Sequence, residues 1–307
     1  MAIKSYKGFD KNLRCRGFQY KIGGIYEMDG KIKMRNRGFH ACESPFDVFD
    51  YYTMIDSRFC EVEQDGNISK EDRGTKICSS KIKIKAELKL ADMINLGVEW
   101  LKEITSPEKI KTSIKDNSSG NYAKIGSSGD EAQIGSSGNG AKIGSSGNGA
   151  KIGSSGYGAK IGSSGNDAKI GSSGDNAQIG SSGYGAKIGS SGYRAKIGSS
   201  GNDAQIGSSG DNAQIGSSGY GAKISSSGYG AKIDNTGEDC VIMCAGINSV
   251  AKASKGSWVT LSEWSYSEEK QRYIPICVKT EFVDGEKIKA DTYYSLKGGV
   301  FVEWIND

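Results

Sequence analysis

Apolar positions along this chain follow three rhythms in turn. In the N-terminal stretch, Arg58-Phe59-Cys60-Glu61-Val62-Glu63 and Lys81-Ile82-Lys83-Ile84-Lys85-Ala86-Glu87-Leu88 alternate apolar and polar residues, the period of half-buried strands. Ile94, Val98 and Leu101 share one side of a helix predicted over residues 91–104. Between residues 123 and 233 the interval becomes nine, as the pattern Ala-Lys/Gln-Ile-Gly-Ser-Ser-Gly-x-x recurs thirteen times with Ile fixed from Ile125 to Ile233. Beyond Gly256, residues 258–261, 273–280 and 293–304 predict short strands joined by glycine-containing turns, with Asp284-Gly285 suited to a tight hairpin.

Composition alone would make the middle of the chain a flexible Gly/Ser spacer. A spacer has no use for a branched apolar residue at a constant interval, whereas a stacked repeat buries one such face per unit on its neighbours. At the strand period, Ala and Ile fall on one face and Lys or Gln on the other. Each unit thus predicts a three-residue strand and a six-residue corner of Gly, Ser, Asn and Asp. Two units close a flattened coil of eighteen residues, and three close a triangular coil of twenty-seven. The corner residues Asn166-Asp167, Asp175-Asn176, Tyr184-Gly185 and Tyr193 recur 36 residues later, which fits whole coils of eighteen. Six to seven such coils would make a rod of about 30 Å, at roughly 4.8 Å per coil.

Burying one Ile falls far short of the entropy lost in ordering nine glycine-rich residues. Backbone hydrogen bonds and rows of Ser between coils are expected to supply the difference, and the flanks to cover the open ends. The nonapeptide resembles the calcium-binding β-roll repeats of secreted bacterial toxins in coil shape only. Those place Asp two residues before the buried aliphatic, where this chain has Ala, so calcium is not expected. Antifreeze solenoids present Thr rows, and this chain presents Lys and Gln.

Charge sharpens the picture of the rod. The array holds nine Lys and one Arg against six carboxylates, while the segment from Asp234 onward carries twelve carboxylates against eight basic residues. In an eighteen-residue coil, Lys124, Lys142, Lys160, Lys196 and Lys232 stack on one face, and Lys151, Lys169, Lys187 and Lys223 on the other. Such ladders keep a rod soluble, and they also suit an RNA, a DNA or an acidic protein face. Corner tyrosines at 157, 184, 193, 220 and 229 form a further row. Seven Cys without a Cys-x-x-Cys pair and a single His make a zinc site or disulfide framework improbable. No apolar run reaches the length of a membrane span, and the N-terminus lacks a signal peptide's apolar core, so a cytoplasmic location with reduced thiols is expected. Neither metal nor cofactor is expected.

The N-terminal region predicts an α+β domain. Ser44 as N-cap, Pro45 at the first helical position and Asp47 in the first turn open a helix carrying Val48, Phe49, Tyr51 and Tyr52. Around it lie Gly17-Phe18-Gln19-Tyr20, then Gly38-Phe39-His40-Ala41-Cys42-Glu43-Ser44-Pro45, and Arg58-Phe59-Cys60-Glu61-Val62-Glu63. These motifs resemble an uncharacterised N-terminal domain of phage and prophage proteins of Gram-positive and related bacteria, which often precedes Gly/Ser/Thr-rich nonapeptide arrays. Residues 284–294 resemble the closing segment of the same proteins. The resemblance implies a phage accessory protein without implying an activity. A fainter similarity is to ADP-ribosyltransferases, through Tyr6-Lys7-Gly8, the Gly38-Phe39-His40 segment entering a helix, and Glu61-Val62-Glu63. Here Lys7 stands in place of that family's Arg, and its Ser-Thr-Ser element is missing. The candidate residues of this region are Tyr6, Lys7, His40, Glu61 and Glu63, with no catalytic set assigned.

The expected architecture is mainly β: an α+β domain over 1–115, a nonapeptide-repeat parallel solenoid over 116–250, and a small antiparallel β cap over 251–307. The expected function is non-enzymatic binding by a phage-encoded protein that inhibits a host defence complex, as anti-CRISPR proteins do. Its partner would be a host protein or ribonucleoprotein, with nucleic acid along the basic rod and self-association as further possibilities. A virion fibre or decoration protein and an ADP-ribosyltransferase-like enzyme are the alternatives.

Overall fold

The structure is a computed structural model that describes residues 2–72, 74–106 and 117–305. The chain forms two compact units, residues 1–100 and 101–307. The boundary expected at residues 115–116 lies outside the described residues.

In the first unit, alternating sequence builds a small sheet that closes on itself. Its strands are β1 (Ile3–Phe9), β2 (Arg14–Cys15), β3 (Phe18–Gln19), β4 (Ile25–Glu27), β5 (Phe39–Cys42), β6 (Arg58–Lys70) and β7 (Lys76–Leu88), with α1 (Pro45–Val48); α2 (Leu90–Ile104) begins in this unit, and its residues from Leu101 onward belong to the second. The order β4-β7-β5-β1-β6 is antiparallel throughout, and β6 pairs back onto β7; β2 and β3 form a separate hairpin. Phe9, Phe39, Cys60, Val62, Ile82 and Ile84 pack in one cluster. Gln64 is fully buried, and its amide is satisfied by Ser5 Oγ, Phe39 O and Ser79 Oγ at 2.8, 2.8 and 3.1 Å. The capped helix begins as predicted, with Ser44 accepting from the Asp47 N–H, but it ends at Val48. Turns bonded from Asp50 N–H to Asp47 O and from Tyr52 N–H to Val48 O carry the chain on, and the Tyr52 ring lies over Gly8, where any Cβ would overlap it.

The array is a parallel β-solenoid with about eighteen residues per turn and about eight coils between residues 124 and 261. Each nonapeptide gives a four-residue strand, Lys/Gln-Ile-Gly-Ser in most coils, so Ala lies just before the strand rather than within it. Ile stacks on Ile in register eighteen residues apart, as in Ile134↔Ile152 and Ile143↔Ile161. The strands fall alternately into two ten-stranded sheets, and Ile and Ala columns fill the space between them. The expected antiparallel β cap is present at the C-terminal end, where it is built onto the last strands of both sheets. Trp258–Ser267 pairs in parallel with Val241–Cys244 before turning back as Arg272–Phe282, and Tyr294–Lys297 with Val300–Glu303 extends the other sheet.

Corners, rather than the thin core, explain the repeat. Backbone bonds run from coil to coil around each turn, as in Lys160 N–H to Ala141 O and Ser164 N–H to Ser145 O at 2.8 and 3.0 Å. The Gly after Ser-Ser packs against the Gly one coil earlier: a Cβ on Gly165, Gly183 or Gly201 would overlap the carbonyl of Gly147, Gly165 or Gly183. The second variable position has positive φ, so it is held by Gly, Asn or Asp in most coils, while Arg194 adopts φ 55°. At the first variable position, the side-chain oxygens of Asn166, Asp175, Asn202 and Asp211 accept the N–H of Tyr184, Tyr193, Tyr220 and Tyr229 eighteen residues on. Alternation of acceptor and Tyr along each corner accounts for the 36-residue recurrence in the sequence.

The expected Ser rows do not bridge coils. Ten hydroxyls, Ser145 to Ser226 at the last strand position, are buried with no protein partner. Their side chains act as small filler, and the backbone makes the bridges.

Two glycine classes follow, and they separate by mutation. Gly183→Ala should lower stability by about 2 kcal/mol or more through overlap with the Gly165 carbonyl. Gly189→Ala, with nothing within 4 Å of the added Cβ, should be neutral or stabilising by up to about 1 kcal/mol. Thermal or denaturant midpoints of the two variants provide the comparison.

Candidate functional site

An extended Lys-Ile-Gly-Ser strand turns Ile and Ser inward and Lys and Gly outward. Each outer face of the solenoid therefore carries a Lys/Gln column beside a glycine column. The two faces share one sequence but not one environment.

On the first face, Gly126, Gly144, Gly162, Gly180, Gly198 and Gly216 are all buried. The main chain at Thr105 occupies the channel at Gly126, and Thr105 Oγ1 with the Leu101 carbonyl occupies it at Gly144. Lys142, Lys160, Lys196 and Lys232 are half-buried there, and Lys124 is exposed. The Lys232 ammonium lies 4.3 Å from the Tyr293 ring centroid and 4.1 Å from that of Trp304.

On the second face, Gly153, Gly171 and Gly189 are exposed, with open space where a Cβ would be. Lys151, Lys169, Lys187 and Lys223 stand in register with Gln133 and Gln205, all exposed. None of these four lysines forms an ion pair among the described residues. A shallow groove of about 850 Å³ runs along this face from Lys169 to Met243. At its C-terminal end the same columns turn apolar: Val241 and Trp258 continue the Lys column and Met243 the Gly column, each 45–50 % exposed. Trp258 is thus a surface residue, because its slot on the strand is an outward one.

The structure brings together the nine lysines as two ladders, only one of them open. The corner tyrosines stay exposed, and they also bridge coils: Tyr229 Oη accepts from Asn248 Nδ2 at 2.9 Å, and the Tyr184 hydroxyl is pushed up by its hydrogen bond to Asp203.

The N-terminal candidates do not converge on one cleft. Tyr6 is buried opposite Glu61 in the β1–β6 ladder, where Lys4 pairs Glu61 at 2.8 Å. Glu63 is held low by the Lys85 ammonium at 2.8 Å. His40 is pushed down by burial and by Lys7 and Lys76, and its Nε2 accepts the Arg35 N–H at 3.0 Å. Lys7 lies inside the closed sheet, 5 % exposed, donating to His40 O at 3.0 Å and Cys15 Sγ at 3.5 Å beside the Phe9 and Tyr20 rings. Tyr52 Oη donates to the same thiol at 3.0 Å. The meeting of Cys15 and Tyr52 carried no signal in the sequence, since a hairpin-strand cysteine and a post-helix tyrosine come together only in the folded unit.

Residues 3–96 match a domain of unknown function, DUF7666. No curated protein and no solved structure matches the chain. Among the described residues, no group of three His, Cys, Asp or Glu is placed to hold a metal, and no helix is long and apolar enough to cross a membrane.

Burial holds the Lys7 ammonium well below the ordinary lysine range. The unfolded chain then binds the extra proton, so Lys7 weakens folding at neutral pH and that penalty fades as pH rises toward 10.5. Lys7→Met should therefore be more stable than the parent at pH 7, and the gap should narrow by pH 9.5. Denaturant titrations of both proteins at the two pH values check this.

Proposed function

We propose that this protein is a non-catalytic binding protein whose solenoid is a stiff basic scaffold docking an anionic partner on its open face. One observation carries the reading: Lys151, Lys169, Lys187 and Lys223 are aligned, exposed and, among the described residues, without ion pairs over an open glycine channel, while in the twin channel Thr105 and Leu101 lie against Gly126 and Gly144. Like charges about 5 Å apart repel by somewhat under 1 kcal/mol per pair in water, and an anionic partner reverses that cost. The resemblance of the N-terminal and closing motifs to phage and prophage proteins supplies the setting. In that setting the partner is a host defence complex, a ribonucleoprotein of the CRISPR type, which the bound protein obstructs.

The test is a pull-down from host cells with and without nuclease, using the parent, a Lys151/Lys169/Lys187/Lys223→Gln variant, and a Lys142/Lys160/Lys196→Gln variant. Four surface contacts at roughly 0.5 kcal/mol each amount to a loss of about thirtyfold in affinity for the first variant. The second variant, altered on the covered face, should capture the same partner as the parent. Equal capture by all three proteins would overturn the open face as the contact surface.

A further inference from the structure

We infer that the open face seats a polypeptide, specifically an acidic amphipathic helix of a partner protein, lying in the glycine channel between residues 151 and 243. This rests on the open face being the contact surface and adds what kind of molecule occupies it.

The first support comes from the solenoid's own internal copy of the site. Both faces present the same Lys-x-Gly columns, and at Gly126 and Gly144 the covered face takes polypeptide backbone. The end of α2 reaches it, with the Thr105 main chain against Gly126 and the Leu101 carbonyl 3.2 Å from a Cβ position on Gly144. Any side chain at either glycine would displace that segment. On the open face the equivalent glycines serve no packing purpose, since nothing lies within 4 Å of a Cβ at Gly153, Gly171 or Gly189. Ser225 and Met243 stand in the same column, so the fold itself tolerates side chains there. A channel kept bare without steric need is explained by an occupant whose backbone or small side chains come close.

The groove's chemistry gives the second support. It begins with lysines and ends at Val241 and Met243, with Trp258 paired to Val241 just beyond and Phe282 beside Trp258 in the next strand. Phosphates would satisfy the basic part, but aliphatic Val and Met side chains offer nothing to a sugar-phosphate backbone. A helix with carboxylates along one edge and apolar residues at one end satisfies both parts. The spacing also agrees: a helical turn rises about 5.4 Å, close to the roughly 4.8 Å between coils. Over the four coils from Lys151 to Lys223 the mismatch grows to only about 2 Å, within reach of a lysine side chain.

The test uses full-length protein and two fluorescent probes. One is a synthetic peptide of residues 90–106, which carries Asp92, Glu99 and Glu103 and whose end already lies in the twin channel. The other is a single-stranded oligouridylate. The informative variant is Gly171→Val/Gly189→Val/Gly207→Val, which fills the channel and keeps every lysine. Circular dichroism and the thermal midpoint verify its fold. The expected result is peptide binding to the parent by anisotropy, weakened at least tenfold in the valine variant. Peptide binding unchanged by the valines, or absent up to about 1 mM, would overturn the inference. Oligouridylate bound equally by parent and valine variant, with no peptide bound, would overturn it while leaving the basic face as a nucleic-acid dock. Loss of the lysine dependence in the pull-down is a separate failure, that of the underlying function.

Discussion

Close approach of backbone to backbone at the corners is the constraint on which the solenoid depends. Each eighteen-residue coil encloses two Ile and two Ala, too little apolar surface to order a chain so rich in glycine. Hydrogen bonding must then continue without a break through strands and turns alike. It can do so only if successive turns come within contact distance, and the Gly after Ser-Ser is the residue that lets them. The other corner choices follow from the same requirement: a left-handed residue to reverse the chain, and an Asn or Asp oxygen to take up the next coil's N–H. Ile fills the interior that this backbone frame encloses.

Much of this was legible in the sequence because the repeat writes its own constraints thirteen times over. The coil length, the inward Ile and the alignment of the lysines all follow from the interval and the 36-residue recurrence. The misjudged parts are those where a residue's neighbour comes from elsewhere in the chain. Ser was expected to bridge coils, yet its last-strand hydroxyls point into a space where no protein acceptor lies. Trp258 is of a residue type that suits a core, yet parallel pairing with Val241 sets it in an outward slot.

The candidate site shows the same division. That nine lysines form two ladders could be inferred from spacing, whereas the inequality of the ladders could not. On one face Leu101 and Thr105 lie against Gly126 and Gly144, while on the other nothing lies within 4 Å of a Cβ at Gly153, Gly171 or Gly189. Identical local sequence therefore gives a structural face and a display face. In the first unit the reverse holds: Lys7, singled out by a motif likeness, is sealed among Phe9, Tyr20 and Cys15, where its charge is a cost to folding rather than a tool at a surface.

Amide hydrogen exchange resolved along residues 123–252 tests the central claim most directly. Coil-to-coil bonding through the corners predicts that corner amides such as Ser164, Ser173 and Ser182 exchange as slowly as the strand amides of Ile161, Ile170 and Ile179, and that all slow together. Corner amides exchanging at random-coil rates beside protected strands would contradict the claim, because the turns would then not be holding the stack together.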